Sequence, residues 1–147
     1  MTPLVRRYIK TSLVFLAAGL LLGAYIVVSE FLLAIYPARL LVTAHAHLLL
    51  VGFMLMMVMG VATWMFPRAA REDRRYRPEL AEAVYWLMTI ATVARAGAEI
   101  AVASAGAIGL RWLIALGGVG QLLGATLFVL NIWWRVRMPS AAVPSAR

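Results

Sequence analysis

Ionisable residues interrupt the long apolar stretches of this chain at only a few places, and those places are where chemistry would reside. They are His45, His47, Arg95 and Glu99, with Glu30 and Arg111 near the boundaries of their stretches. At the centre of a membrane helix such a group costs about 3 kcal/mol, so each is a functional candidate by default. Arg95 and Glu99 stand four residues apart and share one helix face. Either they neutralise each other, or Arg95, together with Arg111, holds an anionic group such as a carboxylate. The histidines stand two residues apart and project about 200° from one another, so they cannot chelate one metal from one regular helix. The face of His45 continues through Gly52, Met56, Gly60 and Thr63, a small and polarizable surface with room for a flat group or a close helix. The face of His47 runs through Val51, Met54, Val58 and Val61 and reads as lipid contact or ordinary packing. Periodicity therefore selects His45 as the inward ligand candidate, with His47 as the alternative. The methionines between Met54 and Met65 fall on several faces, so they read as apolar filling rather than a copper path.

The elements that must position these groups are long apolar helices. Of 147 residues 64% are hydrophobic and 14% charged, where a soluble domain has about a quarter charged. Spanning a bilayer takes about 20 apolar residues, and four windows qualify, at about 10–30, 40–66, 79–103 and 110–136. They predict an all-α, transmembrane four-helix bundle over residues 1–138 with a disordered tail over 139–147. The first apolar run is long for a signal core and lacks a small-x-small cleavage site, so it reads as a retained helix. Pro67 closes the second helix, and Pro78 opens the third, where a missing N–H costs nothing. Trp64, Tyr76, Trp133 and Trp134 on one side, and Tyr36 and Trp112 on the other, mark the interfaces.

Charge placement sets the expected orientation. Arg6, Arg7 and Lys10, then Arg68, Arg71, Arg74, Arg75 and Arg77, then Arg135, Arg137 and Arg147 fall on one side if the helices alternate; Arg39 and Arg111 fall on the other. The positive-inside rule puts both termini in the cytoplasm, in a bacterial or archaeal cytoplasmic membrane. The net charge of +8 is thereby explained by the bilayer as partner and not by nucleic acid. No cysteine is present, which excludes disulfides and thiolate metal sites. Gly19 and Gly23, Gly120 and Gly124, and the set Ala94, Gly97, Ala98 and Ala101 are expected to let helices approach closely. Counted at about 1.5 Å per residue from Pro67 and Pro78, His45, His47, Arg95 and Glu99 reach one level, with Glu30 nearby, forming a single polar layer in the outer half of the bilayer.

The stretch from Arg39 through Thr43, Ala44, His45, Ala46, His47 and Leu48, continuing to Phe66, Pro67 and Arg68, resembles the second helix of subunit I of the heme-copper oxidases and their nitric oxide reductase relatives. Small four-helix proteins of that kind share the pattern carried here by His45, His47, Gly52, Phe53, Gly60, Pro67 and Arg68. The resemblance covers about 30 residues. It implies heme b ligated by His45, with His47 as alternative ligand, Gly52 and Met56 on the cofactor side, and Arg95 and Arg111 on the propionates. A complete subunit has about twelve helices and several more histidines. This chain has two histidines, so it cannot build a binuclear centre and no residue is assigned to catalysis. The heme iron would be open to a gas, or a homodimer would supply His45 or His47 from a second chain. The roles implied are electron transfer, binding of nitric oxide or oxygen, or service as a respiratory-complex subunit. Two other classes stand beside these: a heme-free small subunit or assembly factor of a membrane complex, and a metal or proton conduit through His45, His47, Glu30 and Glu99.

Overall fold

A computed structural model describes residues 1–66, 78–133 and 135–137. Four helices follow one another: α1 (Pro3–Phe31), α2 (Arg39–Met65), α3 (Pro78–Ala105) and α4 (Arg111–Trp133). Short 3-10 turns at Ile108–Leu110 and Arg135–Arg137 flank α4, and no strand occurs among the described residues. All four helices are long and apolar enough to cross a membrane, which suggests a multi-pass membrane protein. Pro67, Arg68, Arg71, Arg74, Arg75, Tyr76 and Arg77, together with Trp134 and the tail 139–147, lie outside the described residues.

Helix α1 starts at Pro3 and not near residue 10. The Thr2 hydroxyl accepts from the Val5 N–H at 3.4 Å, and proline follows at the first helical position. The cap satisfies one orphan donor of the helix start and the proline removes another, so Arg6, Arg7 and Lys10 ride on the first turns of α1. Helix α2 has its expected length, but its middle, Leu48–Leu55, is wound as a π-helix. At its end the Met56 N–H bonds the Val51 carbonyl, five residues back. Such wider turns are rare and collect at functional sites. Helix α3 begins at Pro78 as expected and ends at Ala105, and Gly106 then turns the chain in the left-handed region, at φ 65°.

Each helix packs chiefly on its neighbours in the chain, and α4 meets the rest mainly through α3. The core lies between α1, α2 and α3, where Tyr8, Phe15, Leu48, Met56, Met59, Val84, Tyr85 and Met88 are buried together. Glycines set the approach of α1 and α2. A Cβ on Gly19 would come within 2.5 Å of Leu49, one on Gly52 within 2.7 Å of Phe15, and one on Gly60 within 2.8 Å of Tyr8. The small face of α2 thus admits a close helix at Gly52 and Gly60, one of the two occupants its composition allows. Helix α4 meets α3 in the same way, with Gly120 against Ala91 and Gly124 against Met88. The expected small face of α3 divides instead: Ala98 is buried, while a Cβ on Gly97 would meet nothing within 4 Å.

Two polar ties close the end of the molecule that carries the start of α1 and the end of α4. Arg7 pairs with Glu82 at 2.8 Å. Arg135, itself buried, donates from Nη2 to the carbonyls of Phe66 at 2.8 Å and Thr63 at 3.3 Å, so a cation caps the C-terminus of α2. The opposite end, the loop end, carries the α1–α2 and α3–α4 connections.

Candidate functional site

The two histidines enter different environments because they leave α2 on opposite sides. The ring of His45 crosses to α1, where Nδ1 lies 2.8 Å from the Gly19 carbonyl. A carbonyl only accepts, so Nδ1 is the protonated nitrogen, and in the neutral ring Nε2 holds the lone pair. Nε2 makes no hydrogen bond among the described residues. The imidazole reaches this position because Gly23 has no side chain; a Cβ there would sit 2.6 Å from Cε1 and 2.9 Å from Nδ1. His45 also lines a groove of about 490 Å³, whose other walls are apolar, among them Leu20, Gly23 and Val27 of α1 and Val42 of α2.

His47 turns toward α3, correcting the expectation of lipid contact or plain packing. Its Nδ1 donates to the Thr43 carbonyl one turn back at 2.9 Å and lies 3.6 Å from Oε1 of Glu99. Glu99 is fully buried, and the same Oε1 accepts from Nε of Arg95 at 3.2 Å. Arg95 continues through Nη1 to Oε1 of Gln121 on α4 at 3.1 Å, and Nε2 of Gln121 donates to the Thr92 hydroxyl at 3.2 Å. A chain of polar side chains thus runs from α2 through α3 to α4. It holds Arg95, Glu99 and His47 of the expected polar layer. Glu30 stays exposed at the end of α1 and joins no ion pair among the described residues.

Arg95 needs glycine on α4 as His45 needs it on α1. A Cβ on Gly117 would lie 2.6 Å from the Cβ of Arg95 and 2.8 Å from the Ala91 carbonyl, and one on Gly118 would lie 2.9 Å from Nη1. Arg95 and Arg111 line one cleft of about 690 Å³ with Leu40, Ile114, Ala115, Gly118 and Val119. That cleft and the His45 groove have no lining residue in common. Of the other candidates, Met56 is buried in the core and Gly52 meets Phe15; neither lines either cavity. Gln121, Thr92, Gly117 and Gly118 join the site without being ionisable, so charge alone does not mark them. An amide and a glycine pair inside an apolar helix were the available signals.

Compared with known proteins, the chain matches no family model, no curated protein and no solved structure.

Proposed function

We propose that this chain is a membrane heme b-binding protein, a short relative of heme-copper oxidase subunit I. It acts in electron transfer or gas binding, or as an accessory of a respiratory complex, in a bacterial or archaeal cytoplasmic membrane with both termini inside. The observation that supports it is the setting of His45. One ring nitrogen donates across a helix interface to the Gly19 carbonyl, and the other is left without a partner among the described residues, beside an apolar groove of about 490 Å³. Histidine ligands commonly donate their second nitrogen to a carbonyl in this way, which fixes the tautomer and raises the basicity of the ligating atom. A groove of this size falls in the range of small-molecule sites. Heme iron, when bound, supplies one-electron transfer or reversible binding of a diatomic gas. Nε2 of His45 would hold the iron, the Gly19 carbonyl would orient the ring, and Leu20, Val27 and Val42 would exclude water. The propionate role expected for Arg95 and Arg111 draws no support from their placement on a separate cleft.

Optical spectra of the detergent-purified protein, oxidised and reduced, test this reading. A Soret band is expected, lost in His45→Ala and kept in His47→Ala. A shift with carbon monoxide indicates a single protein ligand, whereas indifference indicates a second imidazole from a partner copy. No Soret band even after reconstitution with hemin overturns the proposal and favours a heme-free small subunit or assembly factor. One observation favours the conduit reading: Oε2 of Glu99 is buried with no hydrogen-bond partner among the described residues, a costly position for a carboxylate oxygen. Proton or metal flux across proteoliposomes that disappears in Glu99→Gln, with no heme bound, would support that reading instead.

A further inference from the structure

The cleft at the loop end joins two guanidinium groups to an apolar trough. Arg111 is the first residue of α4 and is exposed, and it has no acidic partner among the described residues. Arg95 reaches the same cleft from α3, directed toward the loop end by Glu99, which lies one turn, roughly 6 Å, nearer that end. Its Nε and Nη1 bond Glu99 and Gln121, while Nη2 has no partner among the described residues. Glu99 itself is fully buried and so belongs to the interior side of Arg95. Two guanidiniums and one carboxylate leave a net charge of one positive unit facing the cleft. Its remaining walls, Leu40, Ile114, Ala115 and Val119, are hydrocarbon. A free inorganic anion would use the guanidiniums and leave these walls bare. An amphiphile with a singly charged phosphate and an acyl chain would use both.

We infer that this cleft binds an anionic phospholipid, its phosphate held by Arg95 and Arg111 and an acyl chain lying along Leu40, Ile114 and Val119. Guanidinium is suited to phosphate because its planar fork donates in pairs. Gly118 is part of the site, since a side chain there would collide with Nη1 of Arg95. The inference is independent of heme binding, because the two cavities have no lining residue in common.

Native mass spectrometry of the full chain, purified in detergent with equal amounts of phosphatidylglycerol and phosphatidylcholine, tests it. Wild type should retain one phosphatidylglycerol per chain in preference to phosphatidylcholine. Arg111→Gln removes an exposed cation with no partner among the described residues, so the fold should survive, as judged by circular dichroism. Its preference for phosphatidylglycerol should fall about fivefold, while Arg111→Lys, which keeps the charge but not the fork, should lose less. Ala115→Trp fills the trough without changing charge and should reduce retention of both lipids. An Arg111→Gln protein with the wild-type lipid ratio overturns the inference. So does displacement of the lipid by millimolar inorganic phosphate, which would mark a site for free anions.

Discussion

The α1–α2 and α3–α4 interfaces solve one problem with the same device and opposite results. Each uses glycine on one helix to admit a polar side chain from its neighbour: Gly23 admits the imidazole of His45, Gly117 the stem of Arg95 and Gly118 its guanidinium. At α3–α4 the visitor is tied down by Glu99 and Gln121, and Gln121 by Thr92. At α1–α2 the visitor is anchored by one nitrogen only, beside a groove. The first arrangement suits a structural network with a cationic rim. The second suits a ligand-holding group. A polar side chain in a membrane helix is thus read by what remains unbonded after the neighbouring helix has docked.

The largest effect is expected at the network. Glu99→Ala leaves Arg95 without its carboxylate and should destabilise the protein by about 3–5 kcal/mol, the cost of breaking a buried pair. Thermal unfolding in detergent measures it, and an unchanged midpoint would show that the polar chain is dispensable. Next come the glycines. Gly117→Ala drives a methyl into the Ala91 carbonyl and the stem of Arg95 and should cost about 1–3 kcal/mol. The matching change Gly23→Ala pushes on the His45 ring; it should alter any heme spectrum more than the unfolding midpoint, and the reverse ranking would make His45 a packing residue. Gly97→Ala, where nothing lies within 4 Å, should be neutral or stabilising by up to about 1 kcal/mol through helix propensity. Away from both interfaces, Arg135→Gln removes the cap on Thr63 and Phe66 and should cost about 2 kcal/mol. Among the polar ties the smallest effect belongs to Arg7→Ala, because the exposed pair with Glu82 is worth about 0.2–1 kcal/mol and fades with salt.

Local chemistry made much of this architecture legible in advance. Four apolar runs bounded by Pro37, Pro78 and the Gly106 turn require four helices. The spacing of Arg95 and Glu99 requires a shared face, and the observed contact at 3.2 Å agrees. Gly19 with Gly23 and Gly120 with Gly124 stood out as contact surfaces, and each meets a neighbouring helix. Apolarity alone puts the start of α1 too late, because the Thr2 cap and Pro3 begin the helix ahead of the apolar run. The π-wound centre of α2 carries no sequence signal, since Leu48–Leu55 is apolar throughout apart from Gly52 and satisfies any helical period.

What the sequence determined by itself is the number of helices, their apolar character and the short register of neighbours along each one, because these depend on backbone hydrogen bonding and on separations of three or four residues. Tertiary packing decided the partners. That His47 faces Glu99, that Arg95 reaches Gln121, and that His45 and Arg95 serve separate cavities all depend on the rotation of each helix about its axis. That rotation is set by the fit of Gly23 to an imidazole, of Gly117 to the stem of Arg95 and of Gly118 to its guanidinium, contacts between residues 22 to 23 positions apart in the chain, which no local period encodes.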